Sequence, residues 1–176
     1  MHLSNMLSSV LLVPVLASLA LARSFNLYAY GTDIGGLPLY YADGNAVVGN
    51  GAISAVTNAV VSFTNNNGRL VGNPNTTESP SAFTNALLYV PGSLSSSHKV
   101  GFTTDETSTV DQVTDRFLWY GSTLLIENDT GQYTSQFYVR KSDAESGQYE
   151  LLWGVSGTQY ISVSLRSVAP STSWIL

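Results

Sequence analysis

The sequence predicts an all-β domain, built as an antiparallel β-sandwich, with a β-trefoil-like or other closed barrel as the alternative. Three observations lead there. Beyond residue 22 no long stretch carries apolar side chains at helical spacing. Short runs rich in β-branched and aromatic residues alternate instead with clusters of Gly, Asn, Asp, Pro and Ser. The chain also has no cysteine, so a domain of this size must hold together by packing rather than by disulfide staples.

The first 22 residues stand apart. Residues 10–22, VLLVPVLASLALA, form an apolar run too short for the ~20 residues that cross a bilayer. Ala20-Leu21-Ala22 gives the small-x-small pattern of a signal-peptidase site. Residues 1–22 are therefore expected to be a secretory signal peptide, and residues 23–176 a single domain.

Within that domain the first strand is expected over residues 25–30, with Phe25, Leu27 and Ala29 on one face. Residues 31–36 read as a loop, and residues 37–41 and 45–48 as strands joined by Asp43-Gly44, a strong hairpin signal because both positions must tolerate positive φ. A second hairpin, residues 60–64 and 69–71, surrounds Asn65-Asn66-Asn67-Gly68. Residues 72–81 read as a long surface loop. Strands follow at 86–90 and 99–103, while 105–114 suits a loop or one helical turn. The last third reads as a meander of strands at 116–120, 123–126, 133–140, 148–153 and 160–168. Its connections contain Gly131, Gly147 and Gly157, placed where a turn needs an unhindered backbone. Pro38 and Lys99 are expected to blunt sheet edges.

Composition narrows the function classes. The net charge is −5, and every charged residue lies beyond position 22. An acidic surface disfavours nucleic acid and anionic lipid, both of which attract clustered Lys and Arg. Charged residues are only 11% of the chain, against ~25% in an ordinary soluble domain, and uncharged polar residues replace them. Such a surface suits an extracellular matrix. Two acceptor tripeptides for N-glycosylation, Asn75-Thr76-Thr77 and Asn128-Asp129-Thr130, fall where loops are expected.

Candidate chemistry is sparse. His98 is the one histidine beyond the leader, and it follows Ser95-Ser96-Ser97. No Gly-x-Ser-x-Gly elbow presents a nucleophile, so the expectation is no catalytic residue and no enzyme. One histidine and no thiol provide no zinc or copper site of the usual kind, and no calcium-loop motif is present; no metal and no cofactor are expected. Asp105, Glu106, Asp111 and Asp115, with Glu127 and Asp129, supply carboxylates that a small glycoside hydrolase would need facing each other. Tyr and Trp are abundant, and sugars dock their apolar faces on such rings. Tyr40-Tyr41 and Trp119-Tyr120 are the candidate glycan contacts, with one ring of each pair on either face of its strand. Trp153, after Leu151-Leu152, reads as core.

Two stretches carry a family likeness. Phe25-Asn26-Leu27-Tyr28-Ala29-Tyr30, then Gly36-Leu37-Pro38-Leu39-Tyr40-Tyr41 and Gly44-Asn45-Ala46-Val47-Val48-Gly49, open the domain. Gln136-Phe137-Tyr138-Val139, Gly147-Gln148-Tyr149-Glu150-Leu151-Leu152-Trp153 and Ile161-Ser162-Val163-Ser164-Leu165 close it. Their layout resembles small secreted fungal proteins, remotely the phialide-development cell-wall protein family. The resemblance implies a fungal origin, an extracellular or wall-associated location and a non-catalytic role. The expected partners are cell-wall polysaccharide or a host surface protein, the latter if the chain is a secreted effector, with neither nucleic acid nor membrane. A monomer is expected.

Overall fold

The computed structural model describes residues 23–50, 55–75, 83–105, 107, 109–142 and 147–171. The expected signal peptide lies outside them. The described residues contain strands and no helix: β1 (Phe25–Asn26), β2 (Tyr28–Gly31), β3 (Ile34–Ala42), β4 (Asn45–Gly49), β5 (Asn58–Asn66), β6 (Arg69–Pro74), β7 (Ala86–Pro91), β8 (Gly101–Thr103), β9 (Gln112–Val113), β10 (Phe117–Tyr120), β11 (Thr123–Glu127), β12 (Tyr133–Thr134), β13 (Phe137–Lys141), β14 (Gln148–Trp153) and β15 (Ile161–Arg166). All pairings are antiparallel.

The all-β, antiparallel expectation stands, but the sandwich does not. Pairing runs β2-β3-β5-β6-β7-β8-β4-β14-β13-β15 and returns to β2, a closed circuit of ten strands. The closing seam sets Ala29 opposite Leu165 and Tyr30 opposite Ser164. Closure belongs to the barrel alternative. The sequence did not separate the two because buried and exposed residues alternate identically in a sandwich and a barrel. What separates them is one pairing between the two ends of the domain.

The β3–β4 hairpin crosses this circuit as a chord and makes two forks. At the first, the Leu39 N–H donates to the Leu27 carbonyl at 2.9 Å, while the next residue, Tyr40, already pairs with Val60 of β5. Strand β5 thus enters between β3 and β1, and Phe25 faces Phe63 across it. The Asn26 side chain donates to the Val61 carbonyl at 2.9 Å, satisfying an acceptor where the ladder splits. At the second fork, the Val100 N–H donates to the Leu151 carbonyl and the Val100 carbonyl accepts from the Ala46 N–H, each at 3.0 Å. Strand β8 enters there, between β4 and β14.

Turn chemistry follows the expectation at several points. Asp43-Gly44 and Asn67-Gly68 both sit at positive φ, as two-residue hairpins demand. Gly131, Gly147 and Gly157 do likewise. Other readings need correction. Residues 34–36 belong to β3 rather than to a loop, and only Thr32-Asp33 form the turn. Gly36, at φ 86°, is the extra residue of a bulge opposite the Ala29/Tyr30 step, which disguised the strand. Residues 72–74 extend β6, because Gly72 pairs with Phe63 and its missing side chain makes room for Val61. Residues 105–114 contain strand β9, paired to β7. The last third is no simple meander: β15 pairs with β13, β11 and β2, never with its predecessor β14. Pro38 and Lys99 mark no free edge. Pro38 pairs with Tyr28 just before β4 takes up the other flank at Leu39, and Lys99 bridges to Leu152.

The circuit encloses one contiguous apolar core to which β2 through β8, β10, β11 and β13 through β15 contribute. A row of rings threads it. Tyr41 stacks on Phe83 at 4.1 Å, Phe102 bridges from these to Phe63, Phe63 stacks on Phe25, and Phe25 meets Trp119 edge to face at 5.0 Å. Each such contact adds about 0.5–1.5 kcal/mol beyond area burial.

Candidate functional site

The four ring residues singled out in the sequence do not converge. Tyr41 belongs to the core row, stacked on Phe83, so its face is already used. Tyr40, its neighbour on β3, lies half-buried on the other face of the strand. Trp119 is half-buried against Phe25 and lines a shallow groove with Arg23 and Tyr28. Tyr120 is 79% exposed at the turn that follows β10. Asn75 is exposed after β6, and Asn128 lies in the turn between β11 and β12.

A different place gathers polar and aromatic side chains. A half-open cleft of about 300 Å³ lies between the segment after β7, the β11–β12 turn and the end of β14. The residues that give it character are His98, Trp153, Gln136, Asn128, Glu127 and Arg116. Its volume is at the small end of the range for small-molecule sites.

Each is held by a specific local reason. Trp153 ends β14, where its backbone N–H donates to the His98 carbonyl at 2.9 Å. Behind it stands Phe137, fully buried, in edge-to-face contact at 4.9 Å. The indole is thereby fixed on its core side and partly exposed on the other. Nδ1 of His98 lies 3.1 Å from the Trp153 carbonyl. A carbonyl only accepts, so Nδ1 carries the hydrogen, and Nε2 is the ring nitrogen this bond leaves unused. Gln136 is positioned by its carbonyl, which accepts from the Gly154 N–H at 2.9 Å. Thus His98, Trp153, Gly154 and Gln136 form one hydrogen-bonded wall.

The facing segment carries the charges. Arg116 pairs with Asp129, and that hydrogen bond raises the guanidinium pKa further above its ordinary value. Asn128 turns its Oδ1 inward, accepting from the Thr130 and Gln132 N–H groups at 3.0 and 2.9 Å and from the Thr130 hydroxyl at 2.7 Å. Glu127 is exposed, and its N–H donates to the Arg116 carbonyl at 3.0 Å. Among the described lining residues the carboxylates are Glu127 and Asp129, both from this one turn, and Asp115 stands close enough to Arg116 to act on its charge. Ser95 and Ser97 also line the cleft, but their hydroxyls accept from the N–H groups of Ser97 and Lys99, each at 3.2 Å. Among the described residues no group of three or more His, Asp or Glu could hold a metal ion.

Sequence reasoning missed Trp153 and Gln136 as cleft residues. Two leucines before Trp153 suggested burial; both are buried, and Trp153 itself packs against the core as a partly buried ring. The available signal was Gly154, at φ 62°, which ends the strand directly after Trp153. Compared with known protein families, characterised proteins and solved structures, this chain matches none.

Proposed function

We propose that this chain is a secreted, non-catalytic protein of fungal type that associates with cell-wall polysaccharide through the cleft at Trp153. The observation that carries the reading is the pairing of a partly exposed indole, locked from behind by Phe137, with hydrogen-bonding groups on Gln136, Asn128 and His98. An apolar sugar face stacks on such a ring while amide and imidazole groups bond its hydroxyls. Further support comes from the apolar leader, the low charge and the likeness to secreted cell-wall proteins.

Binding is favoured over hydrolysis by the placement of charge. A glycosidase sets two carboxyl groups ~5–9.5 Å apart across the sugar. Here Glu127 and Asp129 share one turn, and Asp129 is committed to Arg116. His98 is oriented by a backbone carbonyl, so the carboxylate that completes a Ser/His/Asp arrangement is not its partner at Nδ1.

The test is retention on insoluble chitin and β-glucan of residues 23–176 made in bacteria. Trp153→Ala is expected to weaken retention at least about tenfold, the equivalent of ~1.4 kcal/mol, while Tyr120→Ala leaves it unchanged. Equal retention of the Trp153 variant and the parent, or no retention of the parent, overturns the proposal.

A further inference from the structure

The cleft carries an attachment point for a sugar on its own wall. Asn128, one of its lining residues, heads the tripeptide Asn128-Asp129-Thr130. The carboxamide is planar, and three donors hold Oδ1 toward the turn: the N–H groups of Thr130 and Gln132 and the Thr130 hydroxyl. Nδ2 is therefore turned away from the turn backbone. Asn75, the other acceptor, is not among the residues that line the cleft.

We propose that Asn128 is N-glycosylated and that its glycan occupies the cleft in cis, so that occupancy of this one acceptor decides whether the cleft takes outside polysaccharide. This rests on the saccharide-binding reading above. In the modification, Asn128 Nδ2 attacks C1 of a lipid-pyrophosphate-linked oligosaccharide. The N–C1 bond forms, the C1–O bond breaks, the lipid pyrophosphate departs, and Nδ2 gives up one proton. The innermost sugars of such a glycan are β1→4-linked N-acetylglucosamine, the repeating chemistry of chitin. A cleft suited to chitin is thus suited to the protein's own glycan core. The tether makes that contact intramolecular, with an effective concentration in the millimolar range, enough to displace a free ligand of ordinary lectin affinity.

Three samples test this: the chain secreted from a glycosylating yeast, its Thr130→Ala variant from the same host, and residues 23–176 from bacteria. Peptide mass mapping reads occupancy of Asn128, and titration calorimetry with chito-oligosaccharides reads binding. The secreted parent is expected to be occupied and to bind about tenfold more weakly than both forms that lack sugar at Asn128. Endoglycosidase release at Asn128 should also be faster in the native Trp153→Ala protein than in the native parent. The proposal is overturned if Asn128 is unoccupied in the secreted protein, if the occupied form binds as tightly as the two that lack sugar at Asn128, or if Trp153→Ala leaves the release rate unchanged. If neither form that lacks sugar at Asn128 binds any chitin or β-glucan fragment, the saccharide reading itself fails and takes this inference with it. The bacterial sample keeps the test decisive should Thr130→Ala disturb the turn.

Discussion

Replacing Gly31 with alanine tests whether the circuit closes between β2 and β15, because the sign of the effect depends on closure. Gly31 is exposed and ends β2 opposite Val163, without a positive φ that would exclude a side chain. Were β15 elsewhere, the added methyl would meet solvent, and the substitution would stabilise the fold by about 0.4–1 kcal/mol by restricting the unfolded chain. In the closed sheet an alanine Cβ stands 2.5 Å from the Ser162 carbonyl oxygen and 2.9 Å from Val163 Cγ1. The valine can rotate away, whereas a backbone oxygen in a ladder cannot. The seam must widen by about 0.5 Å merely to reach 3.0 Å, the limit below which real Cβ contacts essentially never fall. Overpacking of this kind costs about 1–3 kcal/mol. At 2–4 °C per kcal/mol for a domain of this size, the expected drop in Tm is roughly 2–12 °C. Gly35→Ala is the control, since a Cβ there meets nothing within 4 Å. Thermal unfolding followed by circular dichroism reads both variants. A Gly31→Ala protein as stable as the parent, or more so, would refute the seam and with it the closed architecture.

Other consequences of the packing are equally accessible. Phe63→Ala removes a fully buried ring from the middle of the aromatic row and should cost about 3–5 kcal/mol in a urea titration; a loss under 1 kcal/mol would deny the row its structural role. Asn26→Ala strips the donor from the Val61 carbonyl at the first fork, for an expected loss of about 1–3 kcal/mol, and amide exchange at β1 and β5 should rise locally; unchanged exchange would contradict the account. Burial pushes the Glu150 carboxyl up, but hydrogen bonds from Lys99 and Arg140 outweigh it and bring the pKa below the ordinary 4.5. A carboxyl lowered by folding stabilises the native state above its unfolded value, and that contribution fades as pH falls through the folded one. The parent should therefore exceed Glu150→Gln by up to about 1 kcal/mol at neutral pH and converge with it on acidification below about pH 4.5. A pH-independent gap between the two Tm curves would show the pair to be irrelevant.

Much of the local structure was legible because it obeys local rules. Asp43-Gly44 and Asn67-Gly68 announce two-residue hairpins by the φ values they tolerate cheaply, and Gly131, Gly147 and Gly157 mark turns in longer connections by the same freedom. The alternation of Leu27 and Ala29 against Tyr28 and Tyr30 declares the buried face of the first strand. What escaped depends on partners far along the chain. The bulge at Gly36 hid the start of β3, since an extra residue breaks the period of two on which strand recognition relies. The forks at Leu39 and Val100 leave no trace in sequence, because each residue there differs from an ordinary strand residue only in which chain segment receives its hydrogen bonds. The cleft escaped for the same reason. His98, Asn128 and Trp153 come from three separate segments, and only the closed sheet brings them to one mouth.

The seam between β2 and β15 also fixes an order of events. Tyr30 finds its counterpart only when Ser164 exists, so during synthesis the early flank of the sheet must wait for nearly the whole polypeptide. Partners so remote in the chain make folding slow, since loop closure comes before any reward from contact. The circuit of a sheet built this way is completed only when β15 has been made. A chain cut before Ile161 would keep its hairpins, yet hold β2 open as an edge onto which another copy could add.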